Sequence, residues 1–273
     1  MSSLAPFLLP EGFSSPGVVA ALREASVVGE GGRYLLRTWA DHRSRRSQPY
    51  AAGAAREGQP VVLVPGFLAG DGSLGLLSRR LRQEGYRTYG SHIRVNAGCT
   101  EGVSGLLEQR LESVAERRGS KVTVVGHSLG GMLARGLAVR RPDLVSGIVT
   151  LGSPMLAPAA HHASLTRSIE LLVRLSRAGL PGLLAEDCVA GACAQASFDE
   201  ARAPLPEGVA FTAVYSRRDG IVDWRACIDP LARAVEVTAS HTGMAFDPRV
   251  ADVVLAALRS TSSVLEVDGG VVA

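Results

Sequence analysis

The serine at position 128 has the sequence setting of an activated nucleophile. It is the central residue of the G-x-S-x-G pattern Gly126–Gly130, which follows the β-branched run Val122–Val125 and precedes a helix-compatible segment. A strand, a tight glycine turn and a helix hold such a serine on a strained turn, with its hydroxyl above the sheet. Backbone N–H groups at the start of the helix can stabilise negative charge that develops there. The pattern therefore indicates acyl transfer through Ser128; the alternative is a turn of small residues without chemistry.

A serine hydroxyl needs a histidine base, and we predict that this base is His241. Where this motif occurs, the chain order is serine, acid and then histidine. Only His241 lies more than forty residues beyond the serine, on a loop after the strand-like run Val235–Ala239. The other histidines precede the motif, belong to it, or precede every candidate acid: His42, His92, His127, His161 and His162.

Two aspartates are candidates for the acid that orients the histidine. Asp219 precedes Gly220 on the turn directly after a predicted strand, Val209–Tyr215. A carboxylate on a fixed turn at this place can point across the top of the sheet. Asp223 can instead cap the next segment, since aspartate is a favoured N-cap residue. Asp219 is therefore favoured, and Asp223 stays open as the alternative.

The first strong strand predicts the donors that would stabilise an oxyanion. The strand runs from Pro60 to Phe67, and a backbone N–H just past it would face the serine turn. We expect the N–H groups of Phe67 and Leu129 to be the two donors.

Five sequence blocks carry a family resemblance: VPGF, VVGHSLGGMLAR, TLGSP, YSRRDGIV and SHTGM. In this order they resemble the motifs of the α/β-hydrolase superfamily, and of its lipase and esterase branch. The resemblance implies an ester hydrolase of the triacylglycerol-lipase type, with Ser128 as nucleophile, Asp219 as acid and His241 as base. It implies a small-molecule or lipid ester as substrate, with no cofactor and no metal. The chain departs from the family in Pro65, where many such enzymes have histidine, and in lacking obvious earlier strands.

Other functions use the same three residues. A thioesterase, an amidase or an acyltransferase with an alcohol acceptor would need the same nucleophile, acid and base. A non-catalytic binding protein with this fold is a further alternative, although proteins of the fold that have lost catalysis usually lack one of the three residues.

The alternation of strands and helices predicts one α/β-hydrolase domain over residues 1–273, with about six mostly parallel strands. Strands are expected at 61–65, 86–93, 122–125, 147–152, 209–215 and 234–239. Helices are expected at 17–28, 73–84, 103–119, from the serine turn to Pro142, and at 248–259.

Three segments are expected to lie outside this core. Residues 1–58 form an N-terminal extension, in which 33–46 is irregular or a poor strand. Residues 155–206 are too many for a plain crossover, and apolar residues at helical spacing predict a small helical cap or lid there. Residues 261–273 form a loosely held tail.

Composition is that of a globular protein with a sizeable core. The chain is 46% apolar and 20% charged, with a net charge of +3, so it has no nucleic-acid footprint. No window approaches eighteen uninterrupted apolar residues, so no transmembrane segment is expected. The N-terminus lacks a basic region before its apolar run, which predicts a cytoplasmic location. The basic patch 42–46 is expected in a solvated loop rather than on anionic lipid.

The four cysteines are Cys99, Cys188, Cys193 and Cys227. Cys188 and Cys193 are close enough in sequence for a small disulfide loop, but a cytosolic chain would keep them reduced. Their spacing lacks partner histidine or cysteine clusters, so no zinc site is expected.

Overall fold

A central parallel sheet organises the molecule. The computed structural model describes residues 4–47 and 58–268. All strand pairs are parallel, and the sheet order is β2-β1-β3-β4-β5-β6. The strands are β1 Pro60–Val64, β2 Arg87–Gly90, β3 Val122–His127, β4 Val145–Leu151, β5 Ala210–Tyr215 and β6 Arg233–Glu236. The predicted six-stranded parallel sheet is confirmed.

Helices flank this sheet on both faces. They are α1 Val18–Ala21, α2 Val27–Ser47, α3 Gly75–Gln83, α4 Thr100–Arg118, α5 Leu129–Arg140, α6 Ala163–Arg177, α7 Asp187–Ala190, α8 Ala192–Arg202 and α9 Pro248–Asp268. Among the described residues, no helix is long and apolar enough to cross a bilayer.

The apolar runs of the central strands are buried on both faces of the sheet. In β1, Val61 and Leu63 belong to one core with residues of α3 and α9, whereas Val62 and Val64 belong to a second core with α4 and α5. A parallel sheet covered by helices on both sides needs this continuous apolar pattern. Because every strand runs the same way, the loops after their carboxyl ends gather at one edge of the sheet.

The expectation of an irregular segment or poor strand over 33–46 is wrong, because Val27–Ser47 forms α2. The helix is stabilised by tertiary contacts, which outweigh the low helix propensity of its glycines. Glu30 is fully buried, and Arg33 forms an ion pair of 3.1 Å with Asp247.

Two further boundaries differ from those expected. The backbone of the basic patch 42–46 continues α2 and does not form a loop. Helix α9 runs to Asp268, past the expected end at Arg259. Residues 48–57 of the extension and 269–273 of the tail lie outside the described residues.

The segment 155–206 is helical, as expected, and contains α6, α7 and α8. Within it, α8 packs against α4 and α5, the helix that begins beside Ser128. This packing brings the inserted helices to the edge of the sheet at which Ser128 lies.

Candidate active site

Ser128 lies on a strained turn between β3 and α5. Its backbone has φ 50° and ψ −121°, in the positive-φ region that residues other than glycine rarely adopt. The turn is crowded, because a Cβ on Gly130 would lie 2.2 Å from the carbonyl oxygen of Val64. The Ser128 N–H donates to the carbonyl of Leu151 at 2.8 Å. Strain of this kind persists only where the surrounding structure holds it.

Asp219 and His241 form a buried hydrogen-bonded pair. The distance from Asp219 Oδ2 to His241 Nδ1 is 2.7 Å, and the two residues are 3% and 6% exposed. The other carboxylate oxygen of Asp219 accepts from the N–H groups of Ile221 and Val222 at 2.9 and 2.8 Å. The carboxylate is thus fixed by its own turn and oriented toward the imidazole.

Asp223 makes different contacts. It is the N-cap of a short 3₁₀ helix, Trp224–Cys227, and accepts from the Arg225 N–H at 3.1 Å. It also pairs with the Arg225 guanidinium at 2.7 Å and accepts from the Ser14 N–H. In the structure, therefore, Asp219 is hydrogen-bonded to His241, whereas Asp223 caps a short helix.

His127 holds the backbone of His241. Its Nε2 lies 2.9 Å from the His241 carbonyl oxygen, and the two rings are 4.9 Å apart. Burial lowers the pKa of His127 to about 4, with the neighbouring His241 adding to the effect. The ring is therefore neutral near pH 7, and the hydrogen on Nε2 can be donated to the carbonyl. The G-x-S-x-G motif did not reveal this role.

The environment of His241 favours its protonated form. Burial alone would lower the pKa of His241, but the charge of Asp219 and the hydrogen bond to it raise the pKa above its ordinary value. Glu24 adds a smaller contribution in the same direction. An imidazole that gains a proton here is stabilised by the neighbouring carboxylates.

The serine turn and the Asp219–His241 pair both lie beside the end of β4. Gly152, with φ 58°, directly follows Leu151, whose carbonyl accepts a hydrogen bond from the Ser128 N–H. A Cβ on Gly152 would lie 3.1 Å from His241 Nδ1 and 3.3 Å from Asp219 Oδ2. Within the described residues, the Ser128 hydroxyl makes no hydrogen bond to the imidazole; such contacts often tighten only in the substrate complex.

The loop after β1 is fixed beside the serine turn. Asn96 is 1% exposed, and its side-chain amide donates to the Pro65 carbonyl at 2.9 Å. The Asn96 carbonyl in turn accepts from the Leu68 N–H at 2.9 Å. In the described part of the chain, the N–H groups of Phe67 and Leu129 donate to no protein acceptor, so both are available to a ligand.

Ser128 lines an open, mainly apolar cavity. The sheet side contributes Phe67, Leu129 and Met132. The inserted segment contributes apolar side chains from all three of its helices and the adjoining loops: Pro154, Pro158, Leu165, Ile169, Leu184, Cys188, Val189, Ala194 and Phe198. A cavity of this chemistry suits an apolar chain.

Among the histidine side chains that the structure describes, those of His92, His161 and His162 make no hydrogen bond to Asp219. His161 lines the cavity, but its Nδ1 lies 3.5 Å from the Thr166 hydroxyl and 3.4 Å from the His162 carbonyl. Burial lowers the pKa of His161. The side chain of His42 lies outside the described residues.

Two glutamates of the N-terminal segment bind the loops that carry Asp219 and His241. Glu24 Oε1 accepts from the N–H groups of Gly220 and His241, each at 2.9 Å, and Oε2 accepts from Thr242 at 3.1 Å. One carboxylate therefore joins both loops.

Glu30 supports the same loop from the other side of His241. Its carboxylate accepts from the Ser240 N–H at 2.8 Å and from the Ser240 hydroxyl at 2.6 Å. Sequence reasoning missed both glutamates, because a glutamate in a helix has no local signal that separates it from a solvated one.

The fold is similar to that of solved lipase and esterase structures. Lipase BlEst2 of Bacillus licheniformis, in its mature form, aligns with a TM-score of 0.59 and 15% identity over 77% of this chain and 95% of that chain. The metagenomic carboxyl esterase MGS0156 aligns with a TM-score of 0.57 and 18% identity over 79% of each chain. The chain therefore has the α/β-hydrolase fold.

Sequence comparisons give more local matches. The PGAP1-like alpha/beta domain family matches residues 100–179, which include Ser128. A triacylglycerol lipase of Vibrio cholerae is 30% identical over 98 residues, 34% of this chain and 31% of the lipase. The match thus spans about a third of the curated relative, and it supports lipase- and esterase-like homology at a distance.

Proposed function

We propose that this α/β-hydrolase cleaves carboxylic esters with an apolar acyl group through an acyl-enzyme on Ser128. One observation carries the proposal: a strained serine lies in an apolar cavity, next to a buried Asp219–His241 pair. The serine supplies the nucleophile, the pair supplies the base, and the cavity fits the acyl chain. The distant homology to a triacylglycerol lipase supports the same reaction class.

The first chemical step is attack on the ester carbonyl. The Ser128 hydroxyl forms a bond to the carbonyl carbon as its proton passes to His241 Nε2. The hydrogen bond from Nδ1 to Asp219 fixes the tautomer that leaves Nε2 free to accept. The raised pKa of His241 supports this step, because the surrounding charges favour the imidazolium that the step would form.

The second step releases the acid. The N–H groups of Phe67 and Leu129 would bind the negative oxygen of each tetrahedral intermediate. The imidazolium gives its proton to the leaving alcohol, and the same imidazole then activates a water that opens the acyl-enzyme. Neither step requires a cofactor.

The inserted helices would act as the acyl-binding cap. Leu165 and Ile169 of α6 line the cavity, whereas Val173, one turn further on, is 3% exposed. The apolar stripe of α6 thus has two roles: one part faces the cavity and the other packs into the protein. A cap that covers the acyl chain excludes water from the reaction.

Esters of rising acyl length test the proposed substrate class. We expect kcat/KM for p-nitrophenyl esters to rise about fourfold per added methylene until the cavity is filled, because each buried methylene contributes about 0.8 kcal/mol. Matched thioesters and amides should be cleaved more slowly. Initial rates over acyl chains from acetate upward give the comparison.

Two tryptophan variants of α6 make this test specific to the cavity. Ile169→Trp should selectively slow the long esters, because Ile169 lines the cavity. Leu171→Trp is the matched control, since Leu171 is 56% exposed on the same helix and should leave the profile unchanged. A flat profile, or a preference for thioesters or amides, would contradict the proposed substrate class.

Removing the Glu24 carboxylate should impair turnover at a distance. We expect Glu24→Ala to lower kcat/KM about 10–100-fold, because both loops that hold the base and its acid lose a shared partner. In Glu24→Gln, loss of the charge should also shift the acid limb of the pH profile to lower pH, since that charge raises the pKa of His241.

A second glutamate of the N-terminal segment controls for the substitution itself. Glu11 is exposed, and Glu11→Gln should leave both the rate and the pH profile unchanged. Unchanged kinetics in both Glu24 variants would show that the loops keep their positions without this contact.

A further inference from the structure

Three of the four cysteines lie together at one side of the cavity. The sulfur atoms of Cys99, Cys188 and Cys193 all lie within 4.8 Å of one another, and Cys99 and Cys193 are 3.9 Å apart. Cys188 and Cys193 come from α7 and α8, while Cys99 is the N-cap of α4, 94 residues before Cys193. All three are free thiols.

The first turn of α4 directs backbone N–H groups at these sulfurs. The Glu101 N–H contacts both Cys99 and Cys193, and the Thr100 N–H contacts Cys188. Helix α4 is 19 residues long, so its N-terminus favours negative charge. Burial opposes the effect of these donors: it raises the pKa of Cys188 and raises the pKa of Cys193 to about 12, so both stay protonated without a ligand.

The spacing of the sulfurs fits a metal ion. At a metal–sulfur distance of about 2.3 Å, tetrahedral geometry puts two sulfur ligands about 3.8 Å apart. The pair at 3.9 Å already meets this spacing, and the third sulfur needs a shift of less than 1 Å. Apolar side chains pack against the three cysteines: Phe67, Leu172, Leu184 and Ala185. Soft sulfur ligands select soft cations over magnesium or calcium.

We propose that Cys99, Cys188 and Cys193 bind one thiophilic d¹⁰ metal ion of the Zn²⁺ type. Each thiol releases its proton to solvent as its sulfur binds the ion. Three protein ligands leave one coordination position open. This proposal departs from the expectation of no zinc site at the cysteines, which rested on their spacing along the chain.

The site would fasten the inserted segment to the body of the protein. Two ligands lie on the insertion and one lies on α4, so a bound ion joins the two parts beside the cavity. Cys188 also lines that cavity, and Phe67 packs against the cluster. Metal binding at this site does not depend on the proposed ester hydrolysis.

Titration of the reduced, chelator-treated full chain with Cd²⁺ alone tests the proposal. We expect one equivalent to bind, with thiolate-to-metal charge-transfer absorption, and Zn²⁺ to displace it. At about a hundredfold excess of free ion over Kd, the thermal midpoint should rise by about 5–10 °C. Bound metal should also protect three thiols of the wild-type chain from alkylation by a maleimide.

Single serine variants locate the ion. Cys99→Ser and Cys193→Ser should each fail to bind the tight equivalent of Cd²⁺ and should lack its charge-transfer absorption. Cys227→Ser is the matched control: Cys227 is 1% exposed and its sulfur contacts the Asp223 carbonyl, away from the cluster. The proposed site would be overturned if the wild-type chain bound no tight equivalent of Cd²⁺. It would also be overturned if Cys227→Ser lost this equivalent and Cys99→Ser kept it. The alkylation test on the wild-type chain decides the question even if a variant fails to fold.

Discussion

Ser128→Ala is expected to lower kcat/KM for a p-nitrophenyl ester by about 10⁴–10⁶, while leaving the fold intact. The substitution removes the only atom that can form the acyl-enzyme, and the remaining oxyanion donors give little turnover alone. The lost hydroxyl makes no hydrogen bond within the described residues, so the folded state keeps its contacts. Ester hydrolysis and the thermal midpoint, measured side by side, check both parts of the expectation.

Ser120→Ala is the matched control for this prediction, because Ser120 is exposed beyond the end of α4. It should hydrolyse esters like the wild-type chain. A fluorophosphonate probe should label the wild type and Ser120→Ala, but not Ser128→Ala. If Ser128→Ala keeps its turnover, the assignment of Ser128 as the nucleophile is refuted. If the wild type does not react with the probe, a non-catalytic protein is favoured.

Asp219→Asn is expected to lower kcat/KM by about 10⁴. The amide keeps the size of the carboxylate but can donate to His241 Nδ1, which holds the imidazole in the wrong tautomer. Asp223→Asn is the matched control, because Asp223 is equally buried yet contacts Arg225 and Ser14. It should reduce stability without a comparable loss of rate.

The pH profile separates the two aspartates further. The base must be neutral to accept the serine proton, so kcat/KM should fall as pH drops through the raised pKa of His241, above its ordinary 6.5. In Asp219→Asn no carboxylate counters the effect of burial, so the pKa of His241 should fall. The acid limb of the residual activity should therefore move to lower pH. The limb should not move in Asp223→Asn. Equal losses and equal shifts in both variants would mean that the acid has been misassigned.

Local signals explain why the chemical residues could be predicted. Ser128 is preceded by a β-branched strand and flanked by glycines, and these features need no knowledge of distant contacts. Asp219 and His241 each follow a strand, and carboxyl ends of parallel strands meet at one edge. The chain order then restricts the choice to one histidine and two aspartates.

The N-terminal segment could not be predicted for the opposite reason. Glycines at 29, 31 and 32 argue against a helix, yet α2 forms because Glu30 and Arg33 find partners more than two hundred residues away. The edge strands β2 and β6 are shorter than their apolar patterns indicate. In the first case, Ser91 leaves the ladder and donates to Asp71.

The cysteine cluster shows the same limit. Sequence spacing relates Cys188 to Cys193, but nothing in the sequence relates either to Cys99. Only the packing of α8 on α4 brings the third sulfur to them. The chemistry of each residue type can be recognised in the sequence. Which of these residues lie close together depends on tertiary packing.

The bonds from Glu24 to Gly220 and His241 also bear on the order of folding during synthesis. Glu24 leaves the ribosome well before Gly220 and His241, whose N–H groups donate to its carboxylate and which lie 196 and 217 positions later. Contacts of such high separation form slowly, since a long loop must close before they add stability. The parallel sheet can therefore assemble while the reactive centre is still unformed, and newly made chains should gain their fold before they gain their chemistry.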